Sequence, residues 1–143
     1  KIIIEQQVYS KIKKGCSFRF IRSKIDHIIL VTDSGKLVVL EANREKCCFN
    51  VVSEMVISKS GYRLYGPSEF LANEIKGRAI MIASIEKVKY SFNFTIDSLT
   101  KEIVTSSPKE ININNCICFD LISVDNGYNN PLFCSLESFI DFN

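Results

Sequence analysis

The chain is poor in the residues that do chemistry. It holds a single histidine, His27, so no histidine pair is available for catalysis or for a metal centre. It has no glycine-rich phosphate loop and no Gly-x-Ser-x-Gly nucleophile elbow. No apolar stretch approaches the roughly 20 residues that cross a bilayer as a helix, and KIIIEQQVYSKIKK at the start lacks the long apolar core of a secretion signal. These absences give the expectation of a soluble intracellular protein with no membrane partner. Helical apolar periodicity is nearly missing as well. A formal net charge of +2 is too small to argue by itself for a nucleic-acid surface.

Cysteine is plentiful, with six copies, but the spacing does not build a site. Cys47 and Cys48 are adjacent, and Cys116 and Cys118 are two apart; neither matches a zinc knuckle. In a strand, Cys116 and Cys118 share one face, where small thiols pack well. The cysteines are therefore expected to be buried or partly buried free thiols, as in a reducing compartment. Asn93-Phe94-Thr95 fits a glycosylation acceptor formally, yet its strand setting argues against use. No metal and no cofactor is expected.

What is present is a globular composition, 46% apolar and 24% charged over 143 residues, enough for one domain. The chain starts at Lys1 and stops at SLESFIDFN, which gives the expectation that it is a piece of a longer protein. HIILVTDSGKLVVLEAN (27–43) reads as a hairpin: apolar Ile28–Val31, a turn at Asp33-Ser34-Gly35-Lys36, and apolar Leu37–Leu40. Gly35 can take the positive φ such a turn needs, and Asp33 or Ser34 can bond the turn backbone. RAIMIASIEKVKYSFNF (78–94) repeats the pattern, and NNPLFCSLES (129–138) begins it a third time.

The three apolar runs start at Ile28, Ala79 and Leu132, 51 and 53 positions apart. Before two of them stands a short apolar strand with a glycine turn, FLANEIKGR (70–78) with Gly77 and DLISVDNGY (120–128) with Gly127. FRFIRSKID (18–26) fills the same place without a glycine. A period near 50 built from short strands predicts an all-β fold of consecutive blades, a partial WD40-like β-propeller. Residues 1–143 then form part of one N-terminal propeller, about two blades and the start of a third, with hairpins near 28–40, 79–94 and 132–143. HIILV, AIMIA and PLFCSL, apolar on both faces, suit inner strands between neighbouring blades. CCFNVVSEMVIS (47–58) reads as an outer strand, and EIVTSSPKEI (102–111) as a strand end with a turn at Ser107-Pro108. KSGYRLYGPS (59–68) is the loop best suited to outside contact.

DSGKLVVLE (33–41), SKSGYR (58–63), the FLA…KGRAIMIASIEK arrangement (70–87), TSSPKE (105–110) and VDNGYNNPLFCSLE (124–137) occur in an order and spacing that resemble one family over roughly Ile21 to Glu137. It contains the third subunit of splicing factor 3b, the large subunit of the cleavage and polyadenylation factor, and the damaged-DNA-binding adaptor of a ubiquitin ligase; the resemblance is to the first propeller of the splicing member. It implies a three-propeller scaffold in the nucleus, a subunit of the SF3b complex of the U2 snRNP. That subunit would hold the large HEAT-repeat (helical-repeat) subunit and small companions for branch-site recognition in pre-mRNA splicing. The alternatives it leaves are a ubiquitin-ligase substrate adaptor and a scaffold of mRNA 3′-end processing. KIIIEQQVYSKIKKGC, CCFNVVSEM and VKYSFNFTIDSLTKEI depart from the family pattern.

Each sharper reading of single residues meets a plainer one. His27 at a strand start fits a hydrogen-bonded structural histidine better than a general base. Asp120, Asp125 and Glu137 are separated, and Asp125 in VDNGYNN suits turn formation better than calcium binding. Lys11, Lys13, Lys14, Arg19, Arg22 and Lys24, interleaved with Phe18 and Phe20, could follow an RNA backbone. Alternation in SFRFIR instead puts the aromatics in a core and the charges in solvent, so RNA contact is expected to be weak or absent. Ser106-Ser107-Pro108 reads as a turn before it reads as a phosphorylation site. No catalytic, cofactor or metal residue is assigned, and the protein is expected to be no enzyme. A fragment with unpaired blade edges is expected to be unstable or to aggregate on its own.

Overall fold

The computed structural model describes residues 4–8, 10–57, 70–83, 88–100, 102–112, 116–125, 127 and 130–139, and the regular elements among them are all β-strands. All their pairings are antiparallel. The chain divides into two compact units, Lys1–Arg19 with Ser23–Leu64, and Phe20–Arg22 with Tyr65–Asn143.

The first unit is a four-stranded meander of β1 (Ile12–Phe18), β2 (His27–Thr32), β3 (Lys36–Asn43) and β4 (Cys48–Val56). The predicted hairpin is β2–β3, with Ile28 opposite Leu40 and Val31 opposite Leu37. Phe18, His27, Ile29, Val31, Leu37 and Val39 fall on one face by this register, and all are buried. Each fully buried aliphatic of that row contributes about 1.5–3 kcal/mol before entropy is charged against it. Gly35 closes the β2–β3 turn at φ 74, its N–H bonded to the Thr32 carbonyl at 3.1 Å. The side chain that caps the turn is Thr32, not the expected Asp33 or Ser34: its Oγ1 accepts the Lys36 N–H at 3.2 Å. Asp33 is drawn off to the neighbouring strand, where Oδ1 accepts the Lys11 N–H, and Ser34 bonds the Thr32 and Ser10 hydroxyls.

The second unit holds β5 (Phe70–Asn73), β6 (Ala79–Ala83), β7 (Val88–Ile96), β8 (Ile103–Thr105), β9 (Lys109–Asn112), β10 (Cys116–Val124) and β11 (Leu132–Phe139). β6 pairs with β7 as predicted, Ile80 opposite Phe92 and Ile82 opposite Tyr90. The far edge of β7 is covered in two pieces: β9 pairs with Val88–Ser91 and β8 with Phe94–Ile96. Ser106 spans the break, donating its N–H to the Asn93 carbonyl at 2.8 Å while its Oγ accepts the Asn93 N–H at 2.9 Å. Pro108, which has no N–H to give a ladder, stands in the interruption. β8 and β9 thus act as one broken outer strand, and this sheet repeats the four-strand plan of β1–β4.

Of the third hairpin expected at 132–143, β11 is the first strand and residues 140–143 lie outside the described residues; β11 pairs with the lead-in strand β10, with a bulge between Cys118 and Asp120. The inner face of this pair packs on β5–β6, where Ala72, Ala83, Cys118 and Leu121 form a buried cluster flanked by Phe70, Met81 and Phe133. The Ser123 hydroxyl donates to the Asn73 carbonyl at 2.6 Å, and Lys89 pairs with Glu137, joining β7 to β11.

The lead-in to the first hairpin differs from the sequence reading. Its strand lies over Ile12–Phe18 rather than within 18–26, because the chain turns away after Phe18 with Arg22 at φ 65. Arg22 adopts the left-handed conformation that Gly77 and Gly127, both at φ 71, supply in the other copies. Phe18 and Phe20 are both buried, as expected, but not by one strand's alternation. Phe20 belongs to the second unit, its ring edge-on to Phe94 with centroids 4.9 Å apart, and Ile21 donates its N–H to the Gly77 carbonyl at 2.9 Å.

Candidate interaction surfaces

Most of the singled-out residues have structural duties. His27 is 3% exposed at the first position of β2, its Nε2 3.4 Å from Glu41 Oε2. Asp125 Oδ1 accepts the Gly127 N–H at 3.2 Å, the predicted turn, and lies 3.9 Å from Lys76 Nζ. Asp120 Oδ1 accepts the Leu121 N–H at the bulge, and Glu137 is bound by Lys89 and the Ser135 hydroxyl. The three carboxylates serve three separate contacts. Among the described residues no three His, Cys, Asp or Glu side chains are grouped to hold a metal ion, and no helix is long and apolar enough to cross a membrane. Asn93, Phe94 and Thr95 lie within β7, and Phe94 is buried. The loop 59–68 lies outside the described residues.

The thiols correct one expectation. Cys118 is buried, and Cys16 and Cys48 are partly so, but Cys47 and Cys134 are exposed. Cys47 sits at φ 49 in the β3–β4 turn, where Asn43 Oδ1 accepts the Lys46 N–H and the exposed Cys47 thiol donates to the Arg44 carbonyl at 3.6 Å. Cys134 pairs with Ile122 on the outer face of β10–β11. Burial pushes the Cys16 thiol above its usual range.

Among the described residues three exposed surfaces stand out. The outer face of β10–β11 carries Ile122, Leu132 and Leu136 at 55%, 43% and 65% exposure, so β11 is not covered on both faces as its composition suggests. In the first unit, Ile12, Leu30, Val38 and Val51 line an open groove of about 220 Å³ on the side opposite the buried row. Gln6 borders it, its side-chain amide bonding both the N–H and the carbonyl of Phe49 as a neighbouring strand would.

The third surface is a cup of about 350 Å³ at one end of the same sheet, built by the β1–β2 connection, the end of β3 and the β3–β4 turn. Arg19 and Asp26 form a two-pronged pair across its wall at 2.7 and 2.8 Å. The bond to Asp26 and its charge hold Arg19 above its usual range, and the bond to Arg19 holds Asp26 below its own. Glu41 faces His27. Lys24 and Arg44 also line the cup, with Ile25 and Ala42 between the charges. The sequence reading found Arg19 and Lys24 as members of a basic segment; Arg44 joins them only through the β3–β4 turn, which a linear pattern does not display.

A four-stranded antiparallel meander in the first unit, and in the second a sheet of the same plan with the β10–β11 pair packed on its face, have the make-up of propeller blades. The chain belongs to the RSE1/DDB1/CPSF1 first β-propeller family, whose sequence model matches residues 1–138. It is 37% identical to spliceosome-associated protein 130 A of Arabidopsis thaliana over 92% of its length. It is 39% identical to pre-mRNA-splicing factor prp12 of Schizosaccharomyces pombe, and 31% identical to splicing factor 3B subunit 3 of Drosophila melanogaster, each over 94%. In every case the match spans 11% of the relative's own length.

Proposed function

We propose that the chain is part of a non-catalytic scaffold subunit of the splicing factor 3b complex, acting in the nucleus within the U2 particle to organise protein contacts for branch-site recognition. The observation that carries this reading is the identity of 31–39% across nearly the whole chain to three proteins named as splicing or spliceosome-associated factors. The structure supports it from the other side. The polar residues that could suggest chemistry are spent on turns, a bulge and inter-sheet ties, while exposed apolar and charged patches are left at sheet faces and ends. Such surfaces bind proteins rather than transform substrates.

Residues 1–143 then contribute β1–β4, β5–β9 and β10–β11 as successive blades of one N-terminal propeller. The outer face of β10–β11 packs against a further blade of the same ring. The partners are the large helical-repeat subunit and small companions, with direct RNA contact weak or absent. Affinity purification of the tagged full-length protein from cells, followed by mass spectrometry, tests this. Recovery of splicing factor 3b and U2 proteins is expected. Recovery of a cullin, or of the 3′-end processing machinery, in their place refutes it.

A further inference from the structure

We propose that the cup formed by Arg19, Lys24, Ile25 and Arg44 is a docking site for an acidic peptide segment of a partner protein, one that carries carboxylates beside an aliphatic side chain. The proposal rests on the scaffold reading and adds the chemistry of one partner.

Three cations and two carboxylates line the cup. Arg19 is consumed by Asp26, and Glu41 is engaged by His27. Among the described residues no ion pair or side-chain hydrogen bond uses the Lys24 ammonium or the Arg44 guanidinium. Lys24 and Arg44, both exposed, therefore face one recess whose three cations outnumber its two carboxylates. A guanidinium offers a planar fork that takes a carboxylate with two hydrogen bonds, and an ammonium adds a point charge.

The remaining lining decides between acidic protein and nucleic acid. Ile25 is 48% exposed at the cup, with Ala42 beside it, an apolar patch that matches an aliphatic side chain between acidic residues. A nucleic-acid backbone is held by a track of cations that neutralises successive phosphates. Here the cations form no such track: Arg19 is committed to Asp26, which leaves Lys24 and Arg44 beside the apolar Ile25 and Ala42. The recess is about 350 Å³ with the β3–β4 turn contributing one side, a size suited to a few side chains. The Arg19–Asp26 pair fixes the wall, so the peptide's carboxylates are steered to Lys24 and Arg44.

The test uses full-length protein and fluorescence anisotropy with three labelled probes: an octapeptide of alternating Glu and Leu, the same peptide with Gln for Glu, and a short oligouridine. The Glu peptide is expected to bind, and to weaken as salt rises from about 50 to 300 mM. Lys24→Glu with Arg44→Glu is expected to weaken it by about tenfold or more. Ile25→Asp should weaken both peptides, while Lys14→Glu with Lys109→Glu, two exposed positions outside the cup, should leave binding unchanged. Circular dichroism of each variant confirms the fold. Equal binding of the Glu peptide by wild type and the Lys24/Arg44 variant, absence of binding, or loss of oligouridine binding in its place overturns the proposal. Wild-type protein that fails to co-purify with splicing factors refutes the scaffold reading instead, a result read from the purification alone.

Discussion

Phe20 is the side chain through which a short excursion of the chain is built into the second unit, and its removal should be felt there. The ring is 1% exposed and meets Phe94, itself 3% exposed, edge-on at an interplanar angle of 80°. Truncating a buried phenylalanine to alanine costs about 3–5 kcal/mol, of which the aromatic pairing supplies about 0.5–1.5 kcal/mol. Phe20→Leu keeps most of the volume and should lose little beyond the pairing. The measurement is native-state hydrogen exchange in the full-length protein, under conditions where exchange reports the opening equilibrium. Two amides report directly: Ile21 N–H, bonded to the Gly77 carbonyl, and Phe94 N–H, bonded to the Arg78 carbonyl at 2.7 Å. Phe20→Ala should accelerate exchange at these and across β6–β7 by roughly 100-fold or more, at 1.4 kcal/mol per tenfold. Phe20→Leu should give about tenfold or less. Protection in β2–β3 should move far less, since those strands belong to the other unit. If instead β1–β2 loses protection and β6–β7 keeps it, Phe20 is a residue of the first sheet's edge and the reasoning fails.

Three further outcomes follow from the geometry. Gly127→Ala should destabilise the β10–β11 connection by about 0.5–1.5 kcal/mol from backbone conformation alone, because φ is 71 and a Cβ there meets nothing within 4 Å; unchanged local exchange would contradict this. In native labelling with iodoacetamide read by mass spectrometry, Cys47 and Cys134 should react first, Cys16 slowly, and Cys118 only on unfolding; early labelling of Cys118 would contradict the packing of β10 on β5–β6. Burial would raise the Glu74 carboxyl, but hydrogen bonds from the Arg78 side chain and backbone overcome it and hold Glu74 below its usual range. A lowered folded value means stability that is present above the ordinary glutamate value of about 4.3 and is lost as pH falls through the folded value. Exchange at β5–β6, corrected for intrinsic rates, should therefore rise from pH 6 to pH 3.5, and Glu74→Gln should flatten that rise.

The hairpin framework was legible in the sequence because strand signals are local. Ile29, Val31, Leu37 and Val39 alternate within a few residues, and Gly35 marks the turn between them, so pattern and turn chemistry agree. The period near 50 was legible for the same reason. What escaped was set by tertiary partners. Arg22 carries no signature of a positive φ; it takes one where Phe20 and Ile21 are held by Phe94 and Gly77 of the same, second unit. The exposed thiol of Cys47 follows from a turn conformation that its residue type does not favour. The broken outer strand around Ser106 reads as a single turn until β7 is seen to be nine residues long and to need partners along its whole edge. The cup escaped for the most general reason: Lys24 and Arg44 are twenty positions apart, and only the β2–β3 register brings the loop that holds one beside the turn that holds the other.

The third sheet explains why the parts of this chain are best measured within the whole. A two-stranded hairpin is marginal in water by itself, and β10–β11 persists because one face is closed onto β5–β6 by small side chains and by two polar ties, Ser123 to Asn73 and Lys89 to Glu137. Those ties tolerate no sliding: a shift of one residue would turn Leu121 outward and Ile122 inward, exchanging a buried row for an exposed one. The opposite face, with Ile122, Leu132 and Leu136 in solvent and Asp120 opposite Leu136, has the composition of a surface made to be covered. The same alternation that orders one blade on the next therefore makes an incomplete stack adhesive. In the second unit β10–β11 closes a face of β5–β6 in this way, and on the scaffold reading proposed above the surfaces left for partners are the sheet ends, where the turns and their charges lie.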